Sequence, residues 1–401
     1  MSEGAGKRFL PYGRQWLGEE EIEAVVAVLR GDWLTQGPAI ERFERRLCEV
    51  TGARHAVAVS SGTAALHLAM LALGAGPGDL VAVPPLTFAA SANAALYAGA
   101  RPVFVDVHPG TWCLDPDRLR ELLRDPPGEG RPRGVVPVHF AGLPAHAEEI
   151  AAIAREHGLF VLEDACHSLG AEWEDAAGRT HRVGDGTTAD ATVLSFHPVK
   201  GITTGEGGAV LTPHAEIAER VRRLRHHGIE RDPARFRFPS PGAFYHEMQE
   251  LGFNYRITDI QCALGTVQLD RLEGFVERRR ELAARYHRLL ADDPRVTFQE
   301  IPPGCRSAWH LLAVEVPSRD RVFAALRERG IGCQVHYLPV HLHPYYRDLG
   351  YGPGLCPVAE GHSARTLTLP LFPAMADADV DRVVADLREV LDKAVPGEED
   401  R

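Results

Sequence analysis

The chain has 401 residues, enough to bury a large core and to form two domains. Hydrophobic residues at 45% and charged ones at 25% are ordinary for a soluble enzyme, and a net charge of −11 argues against general nucleic-acid binding. No run approaches the ~20 apolar residues of a membrane span, and the N-terminal MSEGAGKRFLPYGRQ lacks a signal-peptide core. Cys48, Cys113, Cys166, Cys262, Cys305, Cys333 and Cys356 are scattered without a CxxC pair. A cytoplasmic protein with reduced thiols is expected, with neither nucleic acid nor membrane as partner.

The first predicted helix, Glu19–Arg30, sets Ile22, Val25, Val26 and Leu29 on one face. A second carries Ile40, Phe43, Leu47 and Val50 on its buried side. Short apolar runs then alternate with helical stretches: His55–Val59, Leu80–Val83, Pro102–Val107, Val135–Phe140, Phe160–Leu162, Ala191–Phe196 and Ala209–Leu211. That alternation predicts an α/β fold, a mostly parallel seven-stranded sheet covered by helices on both faces. Arg231–Gly242 is rich in Pro, Arg and Phe without a period and reads as an irregular loop. Thr258 and Gln261 form a capping box that opens a helical region to about Asp292, with Ile260, Leu264, Val267, Leu272 and Phe275 facing inward.

A smaller α+β pattern follows: strand Trp309–Val316, helix Arg319–Arg329, strand Gln334–Tyr337. The last helix, Asp379–Val395, places Val380, Val383, Val384, Leu387 and Leu391 at helical spacing. The expected division is residues 1–257 as an N-terminal arm with a large domain, and 258–401 as a connecting helix with a small C-terminal domain. The tail Gly397–Arg401 is expected to fray.

In an open parallel sheet, ligands sit beyond the carboxyl ends of the strands. After the first strand, SSGTAAL (Ser60–Leu66) enters a helix, and such a start is either a phosphate cradle of free N–H groups or a simple capped terminus. After the second, Phe88 either stacks on a flat ring or belongs to the core. At the end of the fifth, Asp164 needs a cationic partner, met by a protonated pyridine nitrogen or by an arginine. His167, three residues on, reaches the same cavity or is a satisfied core histidine. In SFHPVKGITTGEGGAV (Ser195–Val210), Lys200 stands alone among glycines and apolar residues, as a Schiff-base lysine or a surface charge.

Taken together these signals ask for a phosphorylated, flat, cationic heteroaromatic aldehyde, and pyridoxal 5'-phosphate meets each requirement. LGAGPGD (Leu73–Asp79) follows a helix and has Asp at its sixth position, which argues against dinucleotide binding, and no Walker A sequence occurs. His336, His341 and His343 lack a carboxylate cluster, so no metal site is expected.

The motifs WLTQGP (Trp33–Pro38), SSGTAAL, LEDACHSLGA (Leu162–Ala171), SFHPVK, LGFNYRITDIQCALG (Leu251–Gly265) and VHYLPVHLHPYY (Val335–Tyr346) resemble the DegT/DnrJ/EryC1/StrS family of sugar aminotransferases, pyridoxal phosphate enzymes of fold type I. The resemblance covers nearly the whole chain. Its closest branch aminates a UDP-4-keto-6-deoxy-N-acetylhexosamine towards pseudaminic acid. It implies Lys200 as the Schiff-base lysine and proton carrier, Asp164 at the pyridine nitrogen, Phe88 stacked on the ring, and His167 beside the ring hydroxyl. It further implies Gly62, Thr63 and Ser195 at the phosphate, with Asn254 reaching the phosphate in a neighbouring subunit of a homodimer. Tyr12, Arg14, Gln15, His336 and Tyr337 would lie near the sugar nucleotide. The implied reaction moves an amino group from L-glutamate to a keto sugar nucleotide through a pyridoxamine 5'-phosphate form. A dTDP-keto sugar or cyclitol acceptor, a lyase on the same cofactor and a non-catalytic relative are the alternatives.

Overall fold

The computed structural model describes residues 8–394, so the tail Gly397–Arg401 and the expected helix end at Val395 fall outside the described residues. Its centre is a sheet whose strands follow the apolar runs: β1 (His55–Val59), β2 (Asp79–Val83), β3 (Arg101–Phe104), β4 (Arg131–Val135) and β5 (Phe160–Asp164). A small side hairpin, β6 (Glu172–Glu174) with β7 (Thr180–Arg182), precedes β8 (Ala191–Ser195) and β9 (Gly208–Thr212). The seven-stranded order is β1-β9-β8-β5-β4-β2-β3, with β9 antiparallel to both neighbours and the remaining pairs parallel. β2, β5 and β9 are buried end to end, which is why their sequences run apolar without alternation.

Two strands of this sheet differ from expectation by more than two residues. β3 stops at Phe104 instead of Val107, because the chain turns at Asp106 to accept the N–H groups of Val358 and Ala359 at the start of the helix Pro357–Arg365. β4 begins at Arg131 and ends at Val135, short of the expected Phe140, since Pro137 cannot donate to the ladder. Val136 and His139 still bond to Ala82 and Asp164, so this segment continues beside the sheet.

The helix Glu19–Leu29 buries its apolar stripe only in part: Val25 and Val26 are half-buried but Ile22 and Leu29 are more than half exposed, while Glu21 is buried. Glu21 accepts from Gln268 Nε2 at 2.6 Å, Arg271 Nη1 at 2.6 Å and Gly18 N at 2.8 Å. Burial raises the Glu21 carboxyl, but those bonds outweigh it and hold the group below the usual carboxylate range. In the helix Pro38–Thr51, Ile40, Phe43 and Leu47 are buried as expected, with Val50 half-buried.

The long helical region divides at Arg271 into Asp259–Asp270 and Leu272–Leu290. Leu272 and Phe275 face inward, but Ile260, Leu264 and Val267 are only half-buried; Cys262, Ala263, Gly265, Gln268 and Leu269 take the inner face. The cause is close helix packing: a Cβ on Gly265 would stand 2.6 Å from Phe43 Cε2. The segment Arg231–Gly242 is irregular apart from one turn at Pro233–Arg235, and is closed by the hairpin β10 (Ile229–Glu230) with β11 (Glu247–Met248).

The C-terminal part of the chain holds a three-stranded antiparallel sheet, β12 (Thr297–Phe298), β13 (Leu312–Glu315) and β14 (Thr366–Leu369). β13 starts after Trp309, whose φ of 49° is incompatible with a strand. Gln334–Tyr337 is not a strand: only Gln334 pairs, with Thr368, and β14 fills the expected place. Both His336 and Tyr337 line the same cavity, which strand alternation would forbid. The helix Asp377–Ala394 buries Val380, Val383, Val384, Leu387 and Leu391 against Tyr286, Leu290 and Val314. Leu10 joins this second core, its N–H bonded to Gly330 at 2.9 Å. Among the described residues no helix is long and apolar enough to cross a membrane.

Candidate active site

A cavity of 480 Å³ opens at the carboxyl ends of β1, β2, β5 and β8. Its floor begins at the helix Gly62–Ala72, where Ser61 accepts from Ala64 N through Oγ at 3.1 Å and from Ala65 N through its carbonyl. The N–H groups of Gly62 and Thr63, ahead of the capped ones, are left for an anion at the positive end of the helix. Ser195, ending β8, packs directly behind: a Cβ on Gly62 would lie 2.9 Å from Ser195 Cβ and 3.3 Å from Cys166 Sγ. A Cβ on Gly208 would lie 2.5 Å from the Ser61 carbonyl, so β9 passes this turn only as glycine. In the glycine-rich stretch after Lys200, Gly208 thus answers a close backbone approach, whereas Gly205 answers a left-handed turn at φ 81°.

Asp164 is 5% exposed and fixed from two sides. Ser91 Oγ donates to its Oδ2 at 2.6 Å and Cys166 N to its Oδ1 at 3.2 Å, while Thr87 and Ser91 hydroxyls share a 2.6 Å bond. Lys200 lines the same cavity, and burial pushes its ammonium below the usual lysine range against the opposing pull of Cys166 and Asp164. It is therefore a lysine that gives up its proton more easily than a surface one. Burial, then the Lys200 charge, holds His167 well below the ordinary histidine value. Burial, then Lys200, brings His336 down to about 3. His310 is likewise held well below by burial first and His167 second, so the imidazoles of this wall are neutral.

The structure brings together Tyr12, Gly62, Thr63, Phe88, Asp164, His167, Ser195, Lys200, His336 and Tyr337 around one cavity. Phe88 is 64% exposed, which removes the core reading for it. His167 bonds to Tyr337 Oη at 3.1 Å, and His336 Nδ1 to Thr368 Oγ1 at 2.8 Å. Arg14 and Gln15 stand outside this cavity, exposed beside Pro198 and Gly201. Asn254 is also exposed and outside it, its backbone pairing with His226. His341 is committed to Glu360 at 2.9 Å, and among the described residues no group of His, Cys, Asp and Glu converges as metal ligands.

Sequence reasoning passed over Thr87, Ser91, Cys166, His197, Glu206 and His310. Cys166 and His197 lie inside motifs already singled out, whereas Thr87 sits in the bend before the helix Ala90–Tyr97 that carries Ser91, so no helical spacing marks the pair. His310 carries no such signal, since only the fold brings the segment before β13 to the sheet edge.

These residues fit pyridoxal phosphate. The glycine cradle at Gly62 with Ser195 suits a phosphate, the anchored Asp164 carboxylate suits a protonated ring nitrogen, and Lys200 suits an aldehyde. Comparison with known proteins agrees. The model of the DegT/DnrJ/EryC1/StrS aminotransferase family matches residues 15–388. The chain is 40% identical over 391 residues to the spore coat polysaccharide biosynthesis protein SpsC of Bacillus subtilis, covering 96% of this chain and 97% of that protein. Its fold superposes on the putative sugar aminotransferase Spr1654 from Streptococcus pneumoniae in its PMP form, with TM-score 0.88, 28% identity, and coverage of 96% of this chain and 100% of that one. It also superposes on PseC from Helicobacter pylori, an aminotransferase involved in the biosynthesis of pseudoaminic acid, with TM-score 0.86, 29% identity, and coverage of 96% and 100%. The chain belongs to the DegT/DnrJ/EryC1/StrS aminotransferase family and is a pyridoxal phosphate-dependent sugar aminotransferase of fold type I.

Proposed function

We propose that this enzyme moves the amino group of L-glutamate to carbon 4 of a UDP-4-keto-6-deoxy-N-acetylhexosamine, in biosynthesis of the pseudaminic acid type. The observation that carries the transamination reading is Lys200, buried with its pKa lowered in one cavity with the anchored Asp164. The likeness to PseC over 96% of the chain supports this acceptor; a dTDP-keto sugar stays the second reading, since the chain is 31% identical to DesI, solved in the presence of its TDP-sugar product.

Pyridoxal phosphate, when bound, supplies the electron sink that makes the α proton of the amino donor acidic. Of the residues lining the cavity, Gly62, Thr63 and Ser195 would hold its phosphate, Phe88 would stack on its ring, His167 would stand near the ring hydroxyl and Asp164 would keep the ring nitrogen protonated. Lys200 Nζ would take up the α proton and redeliver it, a role that its lowered pKa favours. Tyr12, His336 and Tyr337, which line the cavity, would meet the sugar there, and Arg14 and Gln15, which line a neighbouring pocket with Lys200, would border its approach.

The active unit in this reading is a homodimer, with Asn254 of each copy reaching the phosphate in the other. Two features support it: Asn254 is exposed outside its own cavity, and Ile22, Leu29, Trp33 and Leu34 leave an apolar surface about half exposed. The cysteines are all free, in keeping with a cytoplasmic enzyme. Incubating the pyridoxamine form with a panel of keto sugar nucleotides tests the acceptor. Return of the visible cofactor band with the UDP-4-keto-6-deoxy sugar alone is expected, and a preference for a dTDP-linked or cyclitol ketone overturns the assignment.

A further inference from the structure

His167 and Tyr337 meet at the cavity wall, Nε2 to Oη, at 3.1 Å. The other nitrogen of the same ring, Nδ1, is buried with no hydrogen-bond partner. His167 is neutral and so carries a single N–H. A buried N–H left unpaired is costlier and rarer than an unused acceptor, which places that hydrogen on Nε2. Nε2 then donates to Tyr337 Oη, and the phenolic hydrogen must point elsewhere. Tyr337 lines the cavity with Lys200 and Asp164, and among the described residues no acceptor takes its hydrogen. His310 packs against the His167 ring with centroids 4.4 Å apart, which keeps that ring from turning. Burial, then the Asp164 charge, raises the Tyr337 phenol above the usual tyrosine value, so it keeps its proton.

From this geometry we propose that Tyr337 is a hydroxyl donor, aimed by His167, to an oxygen that gains negative charge inside the cavity. Two oxygens share that chemistry, the ring oxygen of the cofactor and the carbonyl oxygen of the keto substrate. The proposal rests on the pyridoxal phosphate reading of the site, and His167 acts through Tyr337 as a positioning residue.

The test follows the visible absorbance of the cofactor-loaded protein against pH without substrate, and separately the single-turnover reaction of the pyridoxamine form with 2-oxoglutarate. Both are measured for the wild type, Tyr337→Phe and His167→Leu. With the ring oxygen as acceptor, Tyr337→Phe raises the pH midpoint by about one unit, a tenfold change, because a donor had stabilised the oxyanion. With the substrate oxygen as acceptor, the midpoint stays and the single-turnover rate falls about 100-fold. Either result supports the proposal. Both readouts within twofold of the wild type overturn it. Should Tyr337→Phe not fold, His167→Leu keeps the Tyr337 hydroxyl but removes the N–H that aims it, and values within twofold of the wild type there overturn the proposal equally. A Lys200→Ala protein that keeps the visible band sinks the cofactor reading itself, a separate outcome.

Discussion

The two walls of the cavity differ in how their polar groups are held. On the sheet side, Asp164 is gripped by Ser91 and Cys166, Ser61 caps its helix, and glycines at 62 and 208 permit approaches that no side chain fits. On the facing side, Tyr12, His310, His336 and Tyr337 present neutral rings, and His167 and His310 each leave a buried Nδ1 unpartnered. The sheet wall is complete before any ligand arrives, as electrostatic preorganisation requires. The ring wall takes its final hydrogen bonds from what binds, so substitutions there should alter selectivity and pH response before they alter cofactor capture.

The largest effect that separates the walls is expected at Lys200. Lys200→Ala should abolish the visible cofactor band and lower glutamate-dependent 2-oxoglutarate formation by about 10⁴-fold, read by absorbance and a coupled assay. Asp164→Asn keeps the shape of the sheet wall but removes its charge. A fall in kcat of about 10²–10³-fold is expected with the fold intact by circular dichroism, and kcat near wild type would show that Asp164 serves packing alone. Gly208→Ala drives a methyl into the Ser61 carbonyl and should cost about 1–3 kcal/mol, seen as a lower thermal midpoint.

The smallest effect concerns the ring wall and pH. His336 has its folded pKa depressed to about 3, whereas the unfolded chain titrates near the ordinary histidine value of about 6.5. The unfolded state therefore binds more protons as pH falls, and stability present above about 6.5 is lost progressively towards acid. Each buried neutral histidine contributes a slope of about 1.4 kcal/mol per pH unit. Urea melts of the cofactor-free protein at pH 7, 6 and 5 should show the loss, and His336→Asn should shallow it by one proton. A flat profile from pH 7 to 5 would remove the neutral-imidazole description of this wall.

The same contrast governs what the sequence discloses. Gly62, Thr63, Asp164, Ser195 and Lys200 are legible because each follows an apolar strand, and the fold rule that ligands sit at strand ends gives them a common address. The ring wall has no such rule. Tyr337 was expected on a strand, but the chain leaves the sheet after Gln334 and turns two successive rings into one cavity. The helix Glu19–Leu29 shows the periodicity of an amphipathic helix, yet Ile22 and Leu29 at the two ends of its apolar stripe are exposed and Glu21 faces in. Periodicity marks which side is apolar; it does not say whether the cover is this chain or another.

The lysines of the chain are Lys7, Lys200 and Lys393, which allows a direct test of the site's centre. The purified protein, loaded with pyridoxal phosphate and reduced with borohydride, is digested and its peptides mapped by mass spectrometry. A phosphopyridoxyl group confined to the peptide bearing Lys200 is the expected result. Label on Lys7 or Lys393, or no label at all, would contradict Lys200 as the residue that holds the cofactor.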